Sequence, residues 1–506
     1  MQQIEGAMGN RRAIIIYSSL ALATLLAPIA LWRLPFPFIR VMDAVYHPIP
    51  LLQLFVFCAA LALTVVGGYA LYQARDGWQK QAPLLLALLV FFHYLALLRQ
   101  HAARSWDYAC YERAAQAIVQ GVNPYGDCYI YFPTPAQALA WLYQAAAYGV
   151  SLVATSNATQ VTQLWDLVFY LYEATQFMQL ILAFALCYGL ARRLGLEAQR
   201  AGVLIAGLFL FNNPLLATLK HNQVNLWVLN SILLALLWAP RAPILSGLAV
   251  ALGGHIKLYP LILLLPWTLT RHWRALVATG VGMIGLVLIQ TNGGRDWQLW
   301  QAFLAFADSF PQGSFFRDNS LHSLVYNTLG HLQWLAGDAS YNVNEQLVGR
   351  IVLVLTGLCG LAYLWRFVQR ERRAASNPVG QLGRSPAEQR TLTNLGHSMD
   401  AIALGLLISP VVWEHHYLLA LPLVIWALAS QSKVERLWLV ALSAFLIFVL
   451  PTFDIFPLSY HRLAGLLLLI STLPPVAVVP WALFGAYPLR FEGKQAVAYS
   501  STMREL

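Results

Sequence analysis

Charge is what this chain has least of. Asp, Glu, Lys and Arg make up 11% of its 506 residues, against about a quarter in soluble domains. That scarcity excludes a soluble protein. A hydrophobic share of 59% and a mean hydropathy of +0.58 point instead to an integral, polytopic membrane protein. The length, enough for roughly three soluble domains, is then read as one helical membrane domain. Cysteine is also sparse: five, with no C-x-x-C or zinc spacing, which gives no thiol metal centre. Cys58, Cys187 and Cys359 lie in apolar runs as inert packing residues. No internal repeat stands out, and no acidic pair of the D-x-D kind occurs beside the histidines. There is no basic face either: the net charge of +10 is scattered through short loops, which excludes nucleic acid as a partner. A cleavable leader is not expected, because Arg11-Arg12 precede an apolar run longer than the usual h-region. The run reads as an uncleaved signal anchor.

What the chain does have is long apolar windows. Those near 13–32, 50–72, 83–98, 164–191, 201–218, 224–239, 243–256, 258–270, 275–290, 347–366, 399–412, 416–430, 437–452 and 463–484 give about fourteen spans. With the N-terminus inside, about 21 of the 32 Lys and Arg fall on the cytoplasmic side. Both termini are then cytoplasmic, in a multi-pass protein of the plasma membrane. The charged stretch 366–398 reads as a flexible cytoplasmic linker. On this parity four polar clusters, far apart in sequence, share the outer face.

The first cluster is Arg104-Ser-Trp-Asp107-Tyr-Ala-Cys-Tyr111-Glu112, followed by Asn123-Pro124-Tyr125 and Tyr131-Phe-Pro133-Thr-Pro135. A carboxylate beside a bilayer is costly unless solvated, paired or working. Asp107, among aromatics that would raise its pKa, is a candidate general base; alternatively it pairs with Arg104 or Arg113. Glu112, expected to face solvent, and Asp127, in a turn, are weaker rivals. Cys110 and Cys128 share this segment and can form a disulfide if it faces an oxidising compartment. The prolines make rigid turns, and Tyr111 and Tyr125 are acceptor or loop candidates.

The second cluster, Lys220-His221-Asn222-Gln223, suits hydrogen bonding to a sugar or its phosphate. The third is Lys257, at a Gly/Pro-marked helix break. It either snorkels to the interface or offers a fixed charge to a lipid phosphate. In the fourth, Trp413-Glu414-His415-His416, the adjacent histidines point about 100° apart on a helix and seldom chelate one metal. A phosphate contact and helix-end packing both fit. Arg317-Asp318-Asn319-Ser320 is read either as acceptor recognition, through Arg317 and Asn319, or as a loop turn. Two aromatic-rich stretches, Trp297 to Phe310 and Leu139 to Tyr143, read as interfacial helices, either topological anchors or walls of a lipid-substrate groove.

The order of these motifs resembles glycosyltransferase family 87, the polyprenyl-phosphate-mannose-dependent enzymes of the GT-C fold. It runs from Gly-x-Asn-Pro-Tyr and Tyr-x-Pro through Asn-Gln-Val-Asn (222–225) and Ile-Lys-x-x-Pro (256–260) to Ser-Pro-x-x-Trp-x-His-His (409–416). The resemblance covers about residues 100 to 430. It implies an all-α GT-C architecture with a core over 83–365 that contains a catalytic outer loop at 99–163 and a second outer loop at 291–346. An additional transmembrane pair precedes it at 1–82, and C-terminal transmembrane helices and a cytoplasmic tail follow at 399–506. It implies transfer of a hexose, typically mannose, from a polyprenyl phosphate to a glycolipid, polysaccharide or protein hydroxyl at the outer leaflet, without metal or other cofactor. Asp107 would be the base, and Lys257 with His415 or His416 would meet the phosphate. Leu258-Tyr259 depart from the Pro or Phe common after the lysine, and two extra spans precede the loop. A secondary transporter or lipid-linked sugar translocator, and an assembly scaffold, are the competing readings.

Overall fold

The computed structural model describes residues 104–473, except 105, 127, 152–157, 211, 309–317, 338–342, 377–384, 432–433 and 451–455. The expected spans at 13–32, 50–72 and 83–98, and the candidates Asp127 and Arg317, lie outside the described residues.

Every described element is helical. In chain order they are α1 (Trp106–Val119), α2 (Pro133–Ser151), α3 (Ala158–Arg193), α4 (Ala198–Leu210), α5 (Asn213–Lys220), α6 (Asn225–Trp238), α7 (Pro243–Ile256) and a 3-10 turn (Tyr259–Leu263). There follow α8 (Leu264–Leu269), α9 (Trp273–Gln290), α10 (Gln298–Asp308), α11 (Leu321–Leu335), α12 (Glu345–Ser376), α13 (Pro386–Ile408) and a second 3-10 turn (Glu414–Ala420). The last are α14 (Leu421–Ser430), α15 (Val434–Ala444), with a π turn at Phe445–Val449, a third 3-10 turn (Leu458–Tyr460) and α16 (His461–Thr472).

Among the described residues three helices are long and apolar enough to cross a membrane: Gln163–Arg193, Trp273–Gln290 and Glu345–Ser376. A fourth is formed if α4 and α5, bent by 59°, count as one. The bend has a local cause: Pro214 cannot donate its nitrogen to the preceding turn, and Asn212 starts a new helix by accepting from Leu215 N at 2.9 Å. The count of about fourteen, three of whose windows lie outside the described residues, is not confirmed by these helices. Helices α6 and α7 have 14 residues each, about 21 Å, against a hydrocarbon core of about 30 Å.

The short helices are held by small residues rather than by length. A methyl on Gly247 would lie 2.3 Å from the Ala275 carbonyl oxygen, and one on Gly282 2.7 Å from Ala251 Cβ. Glycine thus lets the α7 and α9 backbones approach, as expected between helices in lipid. Thr279 Oγ1 donates to Gly247 O at 3.1 Å across that seam, and Ser246 Oγ to Ala235 O at 2.8 Å on the α6 side.

The reading of 366–398 as a flexible linker does not hold for the described part of it. Residues up to Ser376 continue α12, and α13 begins at Pro386 with a Ser385/Glu388 capping box. Part of its charge is paired: Arg366 and Arg370 meet Asp400 at 3.0 and 2.9 Å, and Glu371 meets Arg390 at 2.7 Å and hydrogen-bonds His397 at 2.8 Å.

Candidate active site

Helix α1 carries Asp107 in its first turn, and its inner face buries Tyr108, Tyr111 and Ala115 completely. The segment after α1 is fixed on both sides. Cys110 and Cys128 are joined by a disulfide, and Asn123 Oδ1 accepts from Tyr125 N at 2.9 Å. Helix α10 covers this segment: Phe306 stacks on Tyr125 with centroids 5.6 Å apart, and Phe303 meets Phe132 at 4.7 Å. Leu304 and Trp297 of that stretch are exposed. In α2, Leu139 is buried and Tyr143 stacks on Trp165 at 4.3 Å.

The alternative partners of Asp107 are occupied elsewhere. Arg104 pairs with Asp166 and with Glu112, the latter at 3.4 Å. Arg113 donates to Ala109 O at 3.4 Å and lies against Cys128 Sγ. Glu112, expected to face solvent, is buried beside Arg104, and burial raises its carboxyl above the usual range. Asp107 is partly open. Its Oδ1 accepts from Tyr131 OH at 3.4 Å, and its Oδ2 lies 3.9 Å from His221 Nδ1.

Residues 221–225 form the floor. Asn222 has φ +50°, a left-handed backbone that asparagine tolerates. From α3, Tyr172 OH donates to Asn222 O at 2.6 Å and Gln176 Nε2 to Gln223 O at 3.0 Å. Gln223 then bridges two phenols: Oε1 accepts from Tyr111 OH, and Nε2 donates to Tyr131 OH, both at 3.1 Å. The Asn222 side chain is buried, and neither amide atom has a partner among the described residues. Lys220 is exposed and forms no ion pair there, so it stands apart from the cluster.

Helix α7 stops at Ile256, and Lys257 follows with an extended backbone (φ −151°, ψ 146°). This is the break that Gly253-Gly254 and Pro260 mark. Lys257 is buried; its Nζ donates to Asn225 Oδ1 at 2.8 Å, lies 3.0 Å from His416 Nε2, and sits 5.3 Å from the centre of the Tyr131 ring. Burial lowers its pKa to about 7, although the Asp107 charge pulls the other way.

The histidine loop is clamped from the 318–320 segment. Asp318 Oδ1 accepts from Val412 N at 2.7 Å and Ser320 N at 3.0 Å, and its Oδ2 accepts from Ser320 Oγ at 3.0 Å. Asn319 N donates to Val412 O at 2.8 Å, and Tyr417 OH to Asn319 O at 3.3 Å. Within the loop, Trp413 N donates to His416 Nδ1 at 3.1 Å. The His415 and His416 rings meet edge-on with centroids 4.6 Å apart. Burial first, then the Lys257 and His221 charges, hold His415 well below its usual pKa.

Asp107, His221, Gln223, Lys257, His415 and His416 therefore gather around Tyr131 and Asn225. Tyr111 belongs to the same network through Gln223. Tyr125 and Asn319 serve its walls: Tyr125 OH donates to Tyr131 O at 3.2 Å, and Asn319 holds the histidine loop. Tyr131, Asn225, Tyr259 and Asp318 were not singled out as site residues from sequence. The available signal was a polar group at the edge of an apolar run, which is costly in lipid unless it is used.

The glycosyltransferase family 87 model matches residues 131–382. That stretch contains His221 and Lys257 but not Asp107, His415 or His416. Two curated relatives are from Mycolicibacterium smegmatis (strain ATCC 700084 / mc(2)155). A polyprenol-phosphate-mannose-dependent alpha-(1-2)-phosphatidylinositol pentamannoside mannosyltransferase is 27% identical over 58% of this chain and 66% of its own length. A polyprenol-phosphate-mannose-dependent alpha-(1-2)-phosphatidylinositol mannoside mannosyltransferase is 24% identical over 49% of this chain and 51% of its own. A pentamannoside mannosyltransferase of Mycobacterium tuberculosis (strain CDC 1551 / Oshkosh) is 24% identical over 46% of this chain and 47% of its own. The chain thus spans about half to two thirds of the curated relatives it matches. No solved structure matches it. With the ordered motifs folded into one cluster and the family model covering the helices that build its centre, the chain belongs to glycosyltransferase family 87.

Proposed function

We infer that this protein transfers mannose from a polyprenyl phosphate to an acceptor hydroxyl at the outer membrane face, with inversion and with Asp107 as general base. The observation that carries the reading is the cluster itself: one partly open carboxylate faces a buried lysine and two histidines delivered by separate elements. The activities of these relatives favour polyprenyl-phosphate mannose as donor and a glycolipid, such as a phosphatidylinositol mannoside, as acceptor.

The chemistry follows from charge. A lipid phosphate is already a leaving group, so the enzyme needs a base for the acceptor proton and donors for the developing phosphate charge. Asp107 takes the proton, its orientation set by Tyr131 OH and His221. Lys257 and the histidines meet the phosphate. Asn222 and the Asn225 Nδ2, buried without partners among the described residues, are donors that a sugar or phosphate would satisfy. Attack from the Asp107 side, opposite the phosphate, inverts the anomeric carbon.

The test is incubation of the purified full chain with radiolabelled polyprenyl-phosphate mannose and phosphatidylinositol mannosides. Labelled glycolipid with inverted anomeric configuration is expected. No product across a panel of polyprenyl-phosphate sugars and hydroxyl acceptors would overturn the reading.

A further inference from the structure

A cavity of about 290 Å³ lies away from the candidate active site. Its walls come from the C-terminal ends of α3, α6 and α8 and the first turns of α13. Helix α6 starts at Asn225 in the active-site cluster and ends at this cavity, about 20 Å away for its 14 residues. Helix α13 runs the other way, from the cavity to Ser409, which meets Tyr259 beside His416 at 2.9 Å. The two sites therefore occupy opposite ends of the same helices.

Within a largely apolar lining, its polar side chains include Arg193, His272, Arg390, Thr391 and Asn394. Arg193 is half-buried. Its NH1 donates to the Leu237 carbonyl, and it forms no ion pair among the described residues. Its charged neighbour is another cation, Arg241. Arg390 pairs with Glu371 at 2.7 Å and keeps half of its side chain open. Burial and the Arg390 charge together hold the His272 imidazole below its usual range. His272 Nε2 lies 2.9 Å from Asn394 Nδ2, while Asn394 Oδ1 is buried with no partner among the described residues. Exchanging the two amide atoms lets His272 donate to the oxygen and frees an N–H donor. Two guanidinium groups, a hydroxyl and an amide donor around a cavity with excess positive charge form a phosphate receptor.

We propose that this cavity binds a phosphate-bearing anion, at a site separate from that of the transfer reaction. The same chemistry is presented by the headgroup of an anionic phospholipid and by free phosphate. Basic pockets at helix ends are where lipid headgroups dock.

The test measures thermal unfolding of the full chain in nanodiscs of phosphatidylcholine, with and without phosphatidylglycerol, and in phosphatidylcholine nanodiscs with added inorganic phosphate. Arg193→Gln, Arg390→Gln and Thr391→Trp, the last filling the cavity without removing a charge, are compared with wild type. A rise in the wild-type midpoint with phosphatidylglycerol alone identifies a lipid headgroup. A rise with inorganic phosphate as well identifies the phosphate group itself. In either case each variant should need at least fivefold more ligand for the same rise. Because Arg193 also caps α6, misfolding of Arg193→Gln leaves Arg390→Gln and Thr391→Trp to decide. A wild-type midpoint indifferent to both probes, or a Thr391→Trp protein that responds as wild type does, overturns the proposal. The readout is binding, so it is independent of whether the chain transfers mannose.

Discussion

Asp107 and Lys257 face the same cluster with opposite demands on the proton. Asp107 needs to be ionised to accept one. Replacing it with Asn keeps the shape and the contact with Tyr131 OH but removes the base. Asp107→Asn is expected to lower kcat by about 10²–10⁴-fold with little change in donor KM; a kcat within threefold of wild type removes the assignment. Lys257 needs to be charged to hold a phosphate, yet burial sets its pKa to about 7. The sign follows: below about pH 7 the ammonium is already present, and above it donor binding has to take up a proton. Apparent donor affinity should therefore be flat below about pH 7 and fall by up to about tenfold per unit above it. The tautomer of His416 agrees with an uncharged lysine before the donor binds. Its Nδ1 accepts from Trp413 N, so a neutral ring carries its hydrogen on Nε2, toward Lys257. Lys257→Arg, which stays charged, should flatten the profile measured as donor KM between pH 6 and 9.

At the scale of elements, the site depends on segments that lack helix of their own. The loop before His415 is held through its backbone by Asp318 and Asn319, not by packing alone. Asp318→Ala would strand the buried Val412 and Ser320 N–H groups and cost on the order of 3 kcal/mol. Asp318→Asn keeps an acceptor oxygen for both and should recover most of the loss. Activity should track stability in the two variants; full activity and unchanged unfolding of Asp318→Ala would show that the clamp is dispensable. This dependence also explains what could be read beforehand. The Gly/Pro break at Lys257 was legible because those residues impose backbone geometry locally. Glu112 was misread because its burial depends on Arg104 and on α3, which lies some fifty residues further on. The linker reading of 366–398 failed for the same reason. Its charges look solvated in one dimension, but Asp400 and Glu371 collect them across α12 and α13.

At the scale of the whole molecule, α6 and α13, antiparallel in direction, connect a cluster containing the carboxylate of Asp107 with an end crowded with Arg193, Arg241 and Arg390. Hydropathy marked the helices, and Lys/Arg bias assigned their ends to opposite faces. The windows at 224–239 and 243–256 coincide with α6 and α7, whose 14 residues each are shorter than a full span and which pack through small residues. The orientation is testable with the positions the fold exposes. Val122, after α1, is 54% exposed and belongs to the active-site end. Arg390 is exposed at the other. Of the cysteines among the described residues, Cys110 and Cys128 are joined and Cys187 is buried, leaving Cys359 to be replaced by Ala together with Cys58. In that background, Val122→Cys in intact cells should react with a membrane-impermeant maleimide. Arg390→Cys should react only after permeabilisation. Protection of Val122→Cys in intact cells, with labelling of Arg390→Cys, would place the carboxylate, the lysine and the histidines inside, where an outer-leaflet acceptor could not reach them.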